Sequence, residues 1–181
     1  MHGEIDEKRS AMASFNANIE EALPALWRFA LSLTGNRAEA DDLVQDCVER
    51  ALTRRMLFIP GRPIRPWLMK IMVNIHRNNR RSTRQTVDDE ALGGLLDPLA
   101  HARMEDRMHL ADTFNALRTL PDEQREALLA VVVGGLDYQD AARTLDIPIG
   151  TLMSRLHRAR AKLKEQQGSG ATIVSIAGGS S

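Results

Sequence analysis

Apolar residues three and four positions apart recur through both halves of this chain, and no stretch alternates apolar with polar residues long enough to seed a sheet. Between 19 and 33 the apolar set is Leu23, Leu26, Trp27, Ala30, Leu31 and Leu33, ended by Thr34-Gly35. Asn36 stands three residues before Glu39, a capping-box arrangement that starts a second helix running to about 55. Its apolar stripe is Leu43, Val44, Cys47, Val48, Ala51 and Leu52. A loop over 58–65, broken by Pro60, Gly61 and Pro63, precedes a third helix over 67–81, with Pro66 suited to its first turn. The expected fold is all-α: two small helical domains joined by a flexible linker, the second containing a helix-turn-helix. An aromatic content of 4% within 43% hydrophobic residues argues against a large β-sandwich, which wants more ring and β-branched side chains.

The segment 83–104 differs in kind: Asp88, Asp89, Glu90 and Asp97 lie among Gly93-Gly94 and Pro98, without sustained periodicity, as in a linker. The expected divisions are therefore a first domain over 15–82, the linker over 83–104, a second domain over 105–165, and a disordered tail over 166–181. Within the second domain a helix over 105–119 turns Leu110, Phe114 and Leu117 inward. Another over 122–133 carries Leu128, Leu129, Val131 and Val132 and stops at Gly134-Gly135. Asp137 caps a short helix over 138–145, and Asp146-Ile147-Pro148 turns the chain into a last helix over 150–165.

The formal net charge is zero, but its signs are segregated. Ten basic residues from Arg50 to Arg84 are interrupted by no Asp or Glu; Glu39, Asp41, Asp42, Asp46 and Glu49 form an acidic block before them; Arg155, Arg158, Arg160, Lys162 and Lys164 form a second basic cluster. Separate fields of opposite sign suit one surface for nucleic acid and another for protein. Lys70, Asn74, Arg77, Asn78 and Arg81 share a broad face of the third helix, opposite Leu68, Ile71, Met72 and Ile75. Cations that follow phosphates, beside amides that bond base edges, suit single-stranded DNA. Aromatic platforms are scarce, and Trp67 reads as core.

The strongest motif covers 138–160. A short helix with Ala141, Ala142 and Leu145 inward meets a tight turn, then a helix with Leu152 and Leu156 inward and Thr151, Met153, Ser154, Arg155, His157, Arg158 and Arg160 outward. This is the helix-turn-helix layout, whose second helix enters the major groove. Arg158 can address a guanine edge with two hydrogen bonds, Ser154 projects from the same side, and Arg155 and Arg160 suit phosphates.

The run Leu120-Pro121-Asp122-Glu123-Gln124-Arg125, then Gly135-Leu136-Asp137-Tyr138 and Gly150-Thr151-Leu152-Met153-Ser154-Arg155-Leu156-His157-Arg158-Ala159-Arg160, resembles region 4 of the extracytoplasmic-function (ECF) sigma factors. Asp41-Asp42-Leu43-Val44-Gln45-Asp46, Pro66-Trp67-Leu68-Met69-Lys70-Ile71-Met72-Val73-Asn74 and Arg80-Arg81 resemble region 2. The resemblance implies a subunit that binds core RNA polymerase and directs promoter-specific initiation in a stress or envelope response, under an anti-sigma factor. It implies base reading of the minus-35 duplex by Ser154 and Arg158, with Thr151 and Arg155 on the backbone. It implies contact with the melted minus-10 strand by Arg62, Arg65, Lys70, Asn74, Arg77, Asn78 and Arg81, the loop over 59–65 capturing a flipped base. It also implies polymerase docking through Asp42, Gln45, Asp46 and Glu49. Asp137 stands where the family commonly has serine, and Met153 where it commonly has Lys or Arg.

The alternatives are a stand-alone helix-turn-helix regulator, which leaves the first half unexplained, and a sigma-like decoy, which would carry a receiver domain of alternating strands and helices. No nucleophile–base pair or phosphate-binding glycine loop points to an enzyme, and no cofactor or small-molecule substrate is implied. His101, Glu105 and His109 share a helical spacing but read as a solvated helix start, so no metal is expected. Cys47 cannot form an intrachain disulfide and reads as core, which suggests a cytoplasmic protein. The polar start over 1–9 has no apolar core of a secretory signal, Met12 is an alternative start, and the apolar run over 127–136 is too short to span a bilayer.

Overall fold

The computed structural model describes residues 2–86 and 115–167, all of whose regular elements are helices. The order is α1 (His2–Thr34), α2 (Arg37–Thr53), a 3-10 turn (Arg55–Leu57), α3 (Ile64–Thr86), a helical turn at 115–118, α4 (Asp122–Val132), α5 (Tyr138–Leu145) and α6 (Ile149–Gln167). Of the proposed linker, 83–86 continue α3 and the remainder lies outside the described residues, as do Leu110, Phe114, the His101–Glu105–His109 set and all of the C-terminal tail beyond Gln167, 166–167 being the end of α6. Among those described, no helix is long and apolar enough to cross a membrane.

The caps stand where short polar side chains predict them. Asn36 Oδ1 accepts from the Glu39 amide at 3.3 Å, and Asp137 Oδ1 accepts from the Asp140 amide at 2.7 Å, each satisfying one of the amides a helix start leaves open. At the end of α4 the Gly134 amide donates to Leu129 O and the Leu136 amide to Ala130 O, while Gly135 takes φ +64°, the left-handed turn that ends helices. α1 begins well before the expected 19 and passes through Pro24, which lies exposed on its outer side. The early start brings Phe15 into the core one turn before Ile19.

In the first unit α1, α2 and α3 bury Leu26, Phe29, Leu43, Cys47, Leu68 and Met72. The rings of Phe15, Phe58 and Trp67 close one end, with centroids 5.4–6.1 Å apart. Trp67 is thus part of the core, as its apolar neighbours predict, and Phe58 is held with it. Leu52, expected on the buried stripe of α2, is 44% exposed. It lies in the last turn, where α2 runs into the exposed Met56, Leu57 and Ile59 rather than under another helix. Cys47 Sγ reaches Leu68 O at 3.3 Å, and burial pushes its thiol up to about 12, which leaves it an inert core residue.

In the second unit α4, α5 and α6 enclose Leu128, Leu129, Leu145, Leu152 and Leu156. The two units also share a buried boundary, because α3 is apolar on more than one side. Beyond the expected Leu68–Ile71–Met72–Ile75 face, Met69, Val73 and His76 are buried. Their spacing of four and three makes a second stripe on the same helix. At this boundary a Cβ on Gly134 would fall 2.5 Å from Ala130 O of α4's own backbone, which requires glycine at the helix end, and 2.9 Å from the mobile end of Met69 in α3. Thr144 Oγ1 in α5 donates to Pro66 O at 3.2 Å across the same boundary.

Candidate nucleic-acid and polymerase interfaces

The outer side of α6 and the start of α4 form one concave groove, lined by Pro121, Glu123, Gln124, Gly150, Thr151, Ser154, Arg155 and Arg158. The geometry follows from the helix-turn-helix. Leu152, Leu156 and Ala159 anchor one side of α6, and positions 150, 154 and 158 are left in a row on the other. Arg158 is exposed, and Thr151 and Ser154 are half-buried beside it. Of the residues read from sequence for the minus-35 element, the structure therefore brings Thr151, Ser154, Arg155 and Arg158 together. Two of the arginines are less free than the sequence suggests. Arg155 is only 17% exposed and its Nη2 donates to Glu123 Oε2 at 2.7 Å, so α4 holds its guanidinium in the wall of the groove. Arg160 lies half-buried outside the groove, with its Nε buried and unmatched.

The face of α3 is organised by the neighbouring unit. Lys70 Nζ meets Asp146 Oδ1 at 2.5 Å. Arg77 grips Glu126 with two nitrogens, Nε at 3.1–3.2 Å and Nη2 at 2.5 Å, and Glu126 is almost wholly buried. Arg80 pairs with Asp122, which also accepts from Arg125 Nη2 at 2.8 Å. The hydrogen bonds that Arg77 donates to Glu126 raise the pKa of Arg77, whereas burial lowers that of Arg125. His76 sits within this cluster with Nε2 unmatched; burial first, then the positive fields of Arg80 and Arg125, depress it to about 4, so it is neutral near pH 7. Asn74, Asn78 and Arg81 remain exposed on the outer side of α3, as do Arg62 and Arg65 in and after the loop. The sequence-derived strand-binding set is thus divided between an open part and a part closed by carboxylates. The signal missed was the second apolar stripe, Met69–Val73–His76, which marks where another helical unit seats.

On α2, Asp42, Gln45, Asp46 and Glu49 are all exposed along one face, with Gln45 Nε2 donating to Glu49 Oε1 at 3.0 Å. Asp41, from the same block and also exposed, accepts from Trp27 Nε1 at 2.7 Å instead. Among the described residues no cluster of His, Cys, Asp and Glu could hold a metal ion.

A helix-turn-helix on a second helical unit, with cationic faces on both and an acidic face on one, defines a two-unit DNA-binding protein built to meet a protein partner as well. The sigma-70 region 4 family matches residues 113–163, and the family described as the Sigma2 domain of PhyR matches 19–73. The ECF RNA polymerase sigma factor EcfG of Rhodopseudomonas palustris (strain TIE-1) is 38% identical over 156 residues, which span 83% of each chain. Among solved structures, the sigma factor RpoE from Bartonella quintana, crystallised with the anti-sigma factor NepR, superposes with a TM-score of 0.72 at 31% identity, covering 87% of this chain and 98% of that one. CnrH in complex with the cytosolic domain of CnrY gives 0.68 at 26% identity, covering 88% and 91%. The chain belongs to the ECF RNA polymerase sigma factors. It is a transcription initiation factor whose partners are core RNA polymerase and promoter DNA.

Proposed function

We propose that the work of this sigma factor is divided among three surfaces. The groove of α6 reads the minus-35 duplex: Ser154 and Arg158 address base edges, Thr151 contacts the backbone, and Arg155 lies beside the phosphates while bracing α4. The outer side of α3, with Asn74, Asn78 and Arg81, together with Arg62 of the loop and Arg65 in the first turn of α3, holds the melted minus-10 strand; Lys70 and Arg77 join them once freed from the second unit. Asp42, Gln45, Asp46 and Glu49 dock on core polymerase, where an acidic face steers association and fixes register. Regulation by an anti-sigma factor in the cytoplasm fits the reading, since RpoE of Bartonella quintana is crystallised with the anti-sigma factor NepR and CnrH is bound by the cytosolic domain of CnrY.

The observation that carries this proposal is the groove that collects Thr151, Ser154 and Arg158 around the start of α4. A hydroxyl, a second hydroxyl and a guanidinium on one concave helical face are the groups that recognise base edges and sugar–phosphate in a major groove. The test is transcription in vitro with purified core polymerase over a genomic promoter library. Promoter-specific initiation is expected with the wild-type factor, and Arg158→Ala should lose dependence on the minus-35 element while still binding core. Loss of core binding in that variant would mean that the second unit has been given the wrong role.

A further inference from the structure

The outward side of α6 has a second flank. Gly150, Ser154 and Arg158 form its polar row, with Thr151 and Arg155 turned toward α4. On the other side lie Ile149, Met153 and His157, each four residues from the next and all exposed, so that they stand one above another on the helix. Two of those three are apolar. Met153 is 53% exposed, more than Ile149 at 45% or Tyr138 at 38%, the other large apolar side chains left open among the described residues of the second unit. One exposed methionine on a helix surface ordinarily calls for no explanation. Its setting distinguishes this one: it adjoins Ser154 and Arg158 on a helix that carries no carboxylate from Ile149 to Lys164. Such a face suits a polyanion. The one apolar group that a DNA duplex offers in its major groove is the C5 methyl of thymine.

We propose that Met153 is a specificity-determining residue that reads the methyl group of a thymine in the minus-35 duplex, with Ile149 extending the apolar strip toward the start of α6. The proposal rests on the reading of α6 as the helix that enters the major groove. Ser154 and Arg158 exchange hydrogen bonds with base edges, and thymine and deoxyuridine present the same hydrogen-bonding edge. The thioether adds a contact that depends on the methyl alone. Its three rotatable bonds and polarizable sulfur let it settle against that methyl beside the bases addressed by its neighbours. The contact buries apolar surface on both partners that is wet in the free factor and the free duplex.

The experiment uses the full-length factor bound to core polymerase. A duplex selected from randomised minus-35 sequences is remade with each thymine in turn replaced by deoxyuridine, which removes the methyl and leaves every pairing group in place. Binding is measured by fluorescence anisotropy for the wild type, Met153→Ala and Met153→Leu, substitutions at an exposed position that leave the core intact. The wild type should bind about fourfold more weakly when one particular thymine loses its methyl, the loss expected of about one buried methyl. Met153→Ala should be indifferent to that replacement, and Met153→Leu, of similar volume, should recover most of the discrimination. Deoxyuridine bound as well as thymine at every position overturns the proposal. A methyl effect that persists in Met153→Ala also overturns it, because another group or the shape of the duplex would then be read. If in either case Arg158→Ala still weakens binding of the selected duplex, the minus-35 assignment of α6 stands without the methyl contact; selection of no preferred sequence overturns both. Met153→Ala that binds every duplex as the wild type does but binds core polymerase more weakly would make the strip a protein contact and overturn the thymine reading.

Discussion

The two cationic faces of this sigma factor have similar composition and opposite circumstances. On α6, Arg158 stands exposed in an open groove, and the nearby Arg155–Glu123 pair lies within the second unit, where it shapes the face without covering it. On α3, Lys70, Arg77 and Arg80 are paired with carboxylates brought by the other unit, up to 76 residues away in the chain. A basic residue paired with an acid of its own unit is held in position; one paired with an acid of the other unit ties the two units together and is partly covered by it. On the proposed assignment, the duplex-reading face is the open one and the strand-holding face is the one partly covered by the other unit.

The comparison can be broken at its foundations first. Leu156→Ala removes a fully buried anchor of α6 and should cost about 3–4 kcal/mol. Urea melts followed by circular dichroism should show the loss, and duplex binding should go with it while core binding through α2 persists. Next comes His76, at the boundary between the units and facing Arg77, Arg80 and Arg125 with Asp122. Its folded pKa, about 4, lies below the ordinary 6.5, so the unfolded chain takes up the proton first. The stability from keeping it neutral is full above pH 6.5 and is lost as pH falls toward 4, by about 2–3 kcal/mol. Chemical denaturation across that range should show the decline, and His76→Leu should flatten it. Arg158→Ala should cost about 1–3 kcal/mol in binding a minus-35 duplex, read by fluorescence anisotropy, with no change in single-strand affinity. The smallest effect belongs to Lys70→Met, which breaks a mostly exposed pair and should alter thermal stability by less than about 1 kcal/mol.

Much of this fold is written locally and can be read so. Asn36 and Asp137 mark helix starts because a short side-chain acceptor beside open amides has few other uses, and Gly135 marks a helix end because of its positive φ. The helix-turn-helix was legible as a whole, since Ala141, Ala142, Leu145, Leu152 and Leu156 repeat at helical spacing on either side of a short turn. The face of α6 was legible in its centre and blurred at its edges. Helical spacing identifies Ser154 and Arg158, but it does not say that Glu123 captures Arg155 or that Arg160 tucks beside the core. What the sequence concealed was long-range pairing. Met69 and Val73 read as surplus apolar residues on an already amphipathic helix, and nothing near them names Gly134 or Glu126 as neighbours. Leu52 misled for the opposite reason: its spacing fits a buried stripe, but no helix covers the end of α2 there.

The most direct measurement sets the two faces side by side: one preparation of the full-length factor is titrated with a minus-35 duplex and with the minus-10 single strand, before and after addition of core polymerase. Duplex binding that is already evident in the free factor, with strand binding that becomes strong only once polymerase is present, is the predicted result. Strand binding by the free factor as tight as in the polymerase complex would contradict the account, because the carboxylates of the second unit would then be hiding nothing.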